Sequence, residues 1–140
     1  IVVINSGEND GIQVDMPVIS ESGLVGKVIS VTEKTAKVQT IIDTASTVSA
    51  SISTVADSIL LKGTLTDTQS LKAISIPVNT SVLQGDEVVT SGLGGIFPKG
   101  ILIGTISEVV NTKNELDRYA VVTPATDFSK LETVLVITNQ

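Results

Sequence analysis

Two stretches of sequence decide the fold: LVGKVISV at residues 24–31 and LIGTISEV at residues 102–109. They align without gaps at a constant offset of 78 residues. Each follows a short apolar run and a glycine-containing connection, and each precedes a polar loop and a further run that ends near an aspartate, Asp43 or Asp127. Similarity at a fixed offset indicates an internal repeat. The sequence therefore predicts two related β units.

The rest of the chain also has the composition and spacing of strands. Ile, Val and Thr supply 53 of the 140 residues, and branching at Cβ favours extended backbone. Residues 47–53 alternate, with Val48, Ala50 and Ile52 on one face. Short apolar runs of this kind recur between turn residues, which predicts about ten to twelve short antiparallel strands. A short helix over residues 49–61 is the alternative to strand that this part of the sequence allows.

We expect an all-β fold of two small related β-barrel-like domains, because closed barrels leave no exposed strand edge. Residues 1–55 are predicted to form the first domain and residues 56–140 the second. A C-terminal strand near residues 132–138 is a candidate to return and complete the first barrel.

Composition excludes several classes of function. The net charge is −6 and the only arginine is Arg118, whereas nucleic-acid partners require clustered basic residues. Histidine and cysteine are absent, which removes the usual general base, thiolate nucleophiles and the commonest metal ligands. Ser91 with Lys99, paired carboxylates and the acidic residues at 8–15 have no catalytic or calcium-loop spacing and are interpreted as surface groups. We expect no catalytic residue, cofactor or metal.

The most distinctive segment is TSGLGGIFPKG at residues 90–100. A phosphate loop opens a helix and places Ser or Thr after its lysine, whereas Lys99 is followed by Gly100 and a strand-like run. The glycines are expected to adopt positive φ and Pro98 to stiffen the exit. The apolar side chains of this loop would either plug a barrel end or contact a partner. The candidate structural or partner-contact residues are Gly92, Leu93, Gly94, Gly95, Ile96, Phe97, Pro98 and Gly100.

The same loop carries a resemblance to a known family. GDEVVTSGLGGIFPKG at residues 85–100 closely resembles the signature of MreC, the bacterial rod-shape-determining proteins. The agreement covers essentially the whole chain; Asp15, where a glycine is common, is a departure. Further matching segments are NSG at 5–7, DGI at 10–12, MPV at 16–18, GLVG at 23–26 and DFSKLETVLV at 127–136.

The resemblance implies two small β-barrel-like domains outside the cytoplasmic membrane. It also implies an anchor to that membrane, through a transmembrane helix and a coiled coil upstream of this chain. No stretch of the chain itself approaches the ~18 apolar residues of a membrane span.

The function that the resemblance implies is a non-catalytic scaffold of the cell-elongation machinery that controls cell shape. Such a scaffold would bind itself and penicillin-binding proteins, and would work with MreD and MreB. The alternatives are a module that binds or hydrolyses cell-wall glycan, and a degenerate protease-like peptide binder.

Overall fold

The structure is a computed structural model that describes residues 1–52, 58–64, 70–76, 81–111 and 118–138. These residues form two antiparallel sheets and two short 3-10 helices, at Glu8–Asp10 and Phe128–Lys130. The all-β prediction is confirmed. The strands are β1 (Val2–Ile4), β2 (Pro17–Ile19), β3 (Leu24–Val31), β4 (Ala36–Thr40), β5 (Thr47–Ile52), β6 (Ser58–Gly63), β7 (Leu71–Ile74), β8 (Glu87–Thr90), β9 (Leu102–Val110), β10 (Tyr119–Pro124) and β11 (Leu135–Val136).

The first sheet is open and has the strand order β1-β4-β3-β2-β11. The C-terminal strand β11 lies in this sheet, with Leu135 opposite Ile19 and Val136 opposite Val18. The sheet curves around a small aliphatic core, so that it forms a half-barrel. The buried members of that core are Ile12, Val18, Val25, Val28, Ala36 and Val38.

The second sheet is a closed six-stranded barrel in the order β10-β7-β6-β5-β8-β9. Strand β5 belongs to it through its pairing with β6 and β8, and the alternating side chains of Val48, Ala50 and Ile52 are buried in the barrel core. The change from one sheet to the other therefore falls between β4 and β5, ahead of the boundary predicted at residue 55. Because residues 47–52 are a strand, the helix alternative over 49–61 is wrong there; residues 53–57 lie outside the described ranges.

The pairing register confirms the internal repeat. Strand β3 pairs with β2 through Val18–Gly26 and Ile19–Leu24, and β9 pairs with β8 through Val88–Gly104 and Val89–Leu102. In both pairs of strands the register shifts at the equivalent place, between Val18 and Ile19 of β2 and between Val88 and Val89 of β8. The strand pairs β3–β4 and β9–β10 also have equivalent registers. Each contains one register shift, which leaves Ile29 of β3 and Ser107 of β9 without an opposite residue. The two three-stranded units thus have the same hydrogen-bonding geometry.

Two glycines let the paired strands of each unit approach closely. A Cβ on Gly26 would overlap the carbonyl oxygen of Gln39, and a Cβ on Gly104 would overlap that of Thr123. Both obstacles are main-chain atoms of the neighbouring strand, which cannot move without disturbing the ladder. The glycines of the two LVG and LIG motifs therefore have the same packing role.

The two sheets are in direct contact. Leu24 of β3 and Ile41 after β4 are buried in the core of the closed barrel, and Phe128 packs against both cores. A Cβ on Gly23 would lie 2.6 Å from the carbonyl oxygen of Leu102, so backbone meets backbone at the junction. The buried Thr126 hydroxyl donates to the carbonyl of Leu24 at 3.2 Å and lies 2.9 Å from the Ser20 hydroxyl oxygen. These contacts fix the relative position of the two sheets.

We predict that Gly26→Ala and Gly104→Ala each lower the free energy of unfolding by about 2–3 kcal/mol, because the added methyl group must displace a paired strand. Urea denaturation of both variants measures the effect. Thr105→Ala, an exposed change on β9 beside Gly104, serves as the control and should leave stability within about 0.5 kcal/mol. Equal stability of the glycine variants and wild type would contradict the close-approach argument.

Candidate functional site

The loop at residues 92–100 leaves the closed barrel through a tight neck between β8 and β9. The Thr90 hydroxyl donates to the Pro98 carbonyl at 2.5 Å and accepts the Ile101 N–H at 2.8 Å. The Gly100 N–H donates to the Thr90 carbonyl at 2.9 Å. Thr90 itself is fully buried and the bonds of its hydroxyl are part-buried, so they are partly shielded from water and hold the neck closed.

The internal repeat identifies this loop as an insertion. In the first unit, the equivalent hairpin closes with the Ser20 N–H donating to the Gly23 carbonyl, and only residues 21 and 22 lie between. In the second unit, the Thr90 N–H donates to the Ile101 carbonyl in the same way, with residues 91–100 between. The shared hairpin forms with the short turn, so the extra residues are not required to close it.

The glycines of the loop have the predicted backbone conformation. Gly92, Gly94, Gly95 and Gly100 all have positive φ, between 75° and 93°. At Gly92 the side chain of Lys99 is also close, because a Cβ there would lie 3.1 Å from the Lys99 Cβ. Substitution at Gly92 therefore strains the backbone and crowds the neck.

The apolar side chains of the loop divide between its base and its tip. Phe97 is half-buried and packs against the core of the closed barrel, as does Ile101 just beyond the loop. Leu93 at the tip is 58% exposed. Ile96, with Gly94 and Gly95, lines a shallow cleft of about 370 Å³ whose other wall is residues 13–16 and 137–138 of the first unit. The base thus packs into the barrel end while the tip presents an aliphatic surface beside the first sheet.

A polar cleft of about 450 Å³ lies where the two sheets meet, lined by Ser20, Thr126, Lys130 and Glu132 among others. Asp127 also lines it, and the hydroxyl and backbone N–H of Ser129 donate to this carboxylate at 2.6 and 3.0 Å. These bonds, aided by the charge of Lys130, lower the pKa of Asp127 below its ordinary value. The carboxylate is therefore ionised at neutral pH and caps the short helix at Phe128–Lys130.

A third cleft, of about 550 Å³, was not found by reasoning from the sequence. It lies between residues 2–6, which include β1, and residues 131–136, which include β11. The signal that could have found it is the internal repeat, extended from the aligned segments to the strands that flank them.

Within the described ranges, no group of three or more Asp, Glu, His or Cys side chains is placed to hold a metal ion. The same part of the chain contains no helix long and apolar enough to cross a membrane. The Ser91 hydroxyl accepts the N–H of Leu93 at 3.2 Å, so this serine has a structural role in the turn that begins the loop.

Comparison with known proteins assigns the fold to a family. The family described as rod shape-determining protein MreC, barrel core, matches residues 1–138. The chain belongs to the MreC family. The cell shape-determining protein MreC of Listeria monocytogenes is 38% identical over 139 residues, which are 97% of this chain and 47% of that protein. The chain thus spans about half the length of this MreC relative.

Solved MreC structures have the same architecture. The crystal structure of MreC from Pseudomonas aeruginosa superposes with a TM-score of 0.90 at 29% identity, covering 96% of this chain and 86% of that one. A structure described as the major periplasmic domain from the cell shape-determining filament MreC gives 0.74 at 26% identity, over 89% and 77% of the two chains. MreC in a complex with penicillin-binding protein PBP2 from Helicobacter pylori gives 0.67 at 22% identity, over 86% and 74%, which shows the shared fold alone.

We predict that Thr90→Val lowers the free energy of unfolding by about 1–3 kcal/mol, because the shape is kept while the part-buried Pro98 carbonyl and Ile101 N–H lose a partner. Chemical denaturation measures this loss, and amide exchange at Ile101 should become faster. Leu93→Ala is the matched loop control and should change stability by less than about 0.5 kcal/mol, since Leu93 is exposed. A Thr90→Val variant as stable as wild type would show that the neck is held by other contacts.

Proposed function

We propose that this chain is the extracytoplasmic β-domain of a non-catalytic scaffold that controls cell shape by binding itself and peptidoglycan synthases. The single observation that carries the proposal is the match of residues 1–138 to the MreC barrel core. The proposed location, outside the cytoplasmic membrane, follows from the description of a related solved domain as periplasmic. Attachment to the membrane through residues upstream of this chain, and cooperation with MreD and MreB, are further parts of the proposal that rest on family membership.

A penicillin-binding protein is the proposed partner. In support, the Helicobacter pylori neighbour is described as a complex between such a protein and MreC. Self-association is supported by the description of another neighbour as part of a filament. Both partners are folded proteins, so the proposed mechanism is surface recognition that positions a synthase, with no covalent step.

The loop tip is the surface that we propose for partner contact. Leu93 is exposed, and Val14 on the adjoining wall of the shallow cleft is 51% exposed. Aliphatic side chains with few aromatic anchors give weak to moderate interfaces, which suits a scaffold that assembles and disassembles. The closed neck holds the tip in one place relative to the barrel, which limits the entropy lost when a partner binds.

The alternative functions are separated by binding assays. A glycan-binding module would use the polar cleft at the sheet junction, but Tyr119, Phe97 and Phe128 are not among the residues lining that cleft. We expect the chain neither to sediment with purified peptidoglycan nor to release soluble fragments from it. Sedimentation at physiological salt, measured against an albumin control, would replace the scaffold proposal with the glycan one.

We predict that Leu93→Asp weakens binding to a penicillin-binding protein at least about tenfold, since a central aliphatic contact contributes ~1.5 kcal/mol or more. Titration calorimetry or surface plasmon resonance measures the dissociation constant. Leu83→Asp is the matched control: Leu83 is also exposed, at 64%, but lies outside the loop, before β8. Phe97→Asp is a poorer probe, because Phe97 packs against the barrel core and its loss disturbs the fold.

Three outcomes are informative for this pair of variants. Selective weakening by Leu93→Asp supports the loop tip as the contact. Equal binding by both variants and wild type would move the contact elsewhere on the surface. No binding by the wild type, with the partner shown to be active, would argue against the synthase as a partner of this domain.

A further inference from the structure

The turn ahead of β2 holds an aspartate in a backbone conformation that favours glycine. Residues 13–16 form this turn, in which the Met16 N–H donates to the Gln13 carbonyl at 3.3 Å. Asp15, the third residue of the turn, has a φ of 73°. Residues other than glycine seldom adopt a positive φ, and strained positions of this kind cluster at functional sites. The conformation of Asp15 therefore points to a role outside the turn.

The internal repeat shows which residue the fold alone requires at this position. In the second unit, the equivalent turn spans residues 83–86 and closes with the same hydrogen bond, at 3.1 Å. Its third residue is Gly85, with a φ of 94°. The N–H of Gly85 donates to the Ile106 carbonyl at 2.7 Å. The N–H of Asp15 donates to the equivalent carbonyl, that of Val28, at 2.8 Å. The same turn thus forms without any side chain at its third position.

The carboxylate of Asp15 differs from those of the other aspartates that the structure describes. Each of the others accepts a backbone N–H from a residue two or three positions away; they are Asp10, Asp43, Asp86 and Asp127. The Asp15 carboxylate has no hydrogen bond and no ion pair within the described ranges, and the residue is exposed. It is therefore available to a donor on another molecule.

Asp15 borders an aliphatic cleft beside the loop tip. It lines the shallow cleft of about 370 Å³ between residues 13–16 and the loop, together with Val14, Met16 and Ile96. Among the described lining residues, Asp15 alone is charged. Pockets that enclose a small molecule usually measure ~300–1,000 Å³. A cleft at the lower end of that range suits one long side chain of a partner better than a whole ligand.

A single carboxylate beside an aliphatic wall fits a basic side chain. Lysine and arginine lay their methylene stems along apolar surface while the charged head reaches a polar group. An arginine can also donate two parallel hydrogen bonds to one carboxylate. An acidic side chain would be repelled, and an apolar one would leave the covered carboxylate without a partner. The cleft therefore selects a basic side chain, with its stem along Val14 and Ile96 and its head at Asp15.

We propose that Asp15 is a specificity-determining residue of the loop-tip contact, and that it binds a basic side chain of the partner synthase. This proposal rests on the proposed function, because it requires the synthase to dock at the loop tip. It adds the chemistry of one contact: Leu93 and Val14 meet aliphatic groups, while Asp15 discriminates by charge. A surface with an acidic group at the matching place is rejected, even where its aliphatic contacts are equally good.

Neutral variants of Asp15 test the proposal by titration calorimetry against a penicillin-binding protein of the same organism. Asp15→Asn removes the charge and keeps the shape, and asparagine tolerates a positive φ. Asp15→Gly restores the residue that the second unit has in its turn. We expect each variant to raise the dissociation constant about three- to tenfold. Urea denaturation should show both variants to be at least as stable as wild type, so that weaker binding does not reflect unfolding.

Two controls separate a charge contact from a structural role. Glu33→Gln removes the same charge from an exposed residue between β3 and β4 and should leave the dissociation constant within about twofold. Raising the salt concentration from about 0.1 M to about 1 M shortens the screening length from ~10 Å to ~3 Å. The difference between wild type and Asp15→Asn should shrink accordingly. The effect of Leu93→Ala, which removes an apolar contact, should persist.

The remaining outcomes separate failure of this proposal from failure of the proposed function. If Asp15→Asn binds as wild type does, or more tightly, while Leu93→Asp still weakens binding, the basic contact is wrong and the loop-tip contact stands. A loss that is unchanged in about 1 M salt would show that Asp15 acts through the turn. Equal losses from Asp15→Asn and Glu33→Gln would show long-range attraction without a contact. If the wild type does not bind an active synthase, the proposed function fails and this proposal fails with it.

Discussion

The close approach of backbone to backbone at Gly26 and Gly104 is the constraint on which the fold depends. At each position a glycine in the long central strand lies against a carbonyl oxygen of the next strand, with no room for a side chain. A register that placed a side chain at this position would bring it against the neighbouring carbonyl, and in both units register shifts lie on either side of the glycine. The glycine therefore determines which side chains of each strand face a core.

The position of the two units relative to each other follows from side chains that pack across their boundary. Leu24, the first residue of β3, contributes to the core of the closed barrel, and Phe128 packs against both cores. Backbone contact at Gly23 and the hydroxyl pair of Ser20 and Thr126 add direct contacts between the two units at the junction. In the scaffold role proposed for this chain, such a junction would keep surfaces on the two units at a constant spacing when a partner binds.

The sequence was sufficient to predict most of the fold. The β-branched composition and the alternation over residues 47–53 predicted strands, and the aligned octapeptides predicted two related units. The sheet assignment of β5 could not be predicted, because Val48, Ala50 and Ile52 would suit the inner face of either sheet, and only long-range pairing decides between them. The open first sheet could not be predicted for a similar reason, since its central strand has the same apolar pattern as the central strand of the closed barrel.

The candidate loop was recognised from its glycines, and their positive φ values were expected. Its division into a packed base and an exposed tip was not, because Phe97 and Leu93 are equally apolar in the sequence. Phe97 directly precedes Pro98, whose carbonyl accepts the Thr90 hydroxyl at the neck, whereas Leu93 directly precedes Gly94 and Gly95 at the tip.

The neck at Thr90 has a consequence for how such a domain can change over time. Its hydrogen bonds use one hydroxyl and main-chain groups of Pro98, Gly100 and Ile101, so the neck does not depend on the side chain at the exposed tip position Leu93. Because loop-closure entropy grows slowly with length, a residue can be added beside Leu93 at small cost to the barrel. The positive φ of Gly92, Gly94, Gly95 and Gly100 and the packing of Phe97 confine such variation to the tip, while the stem that carries it stays the same.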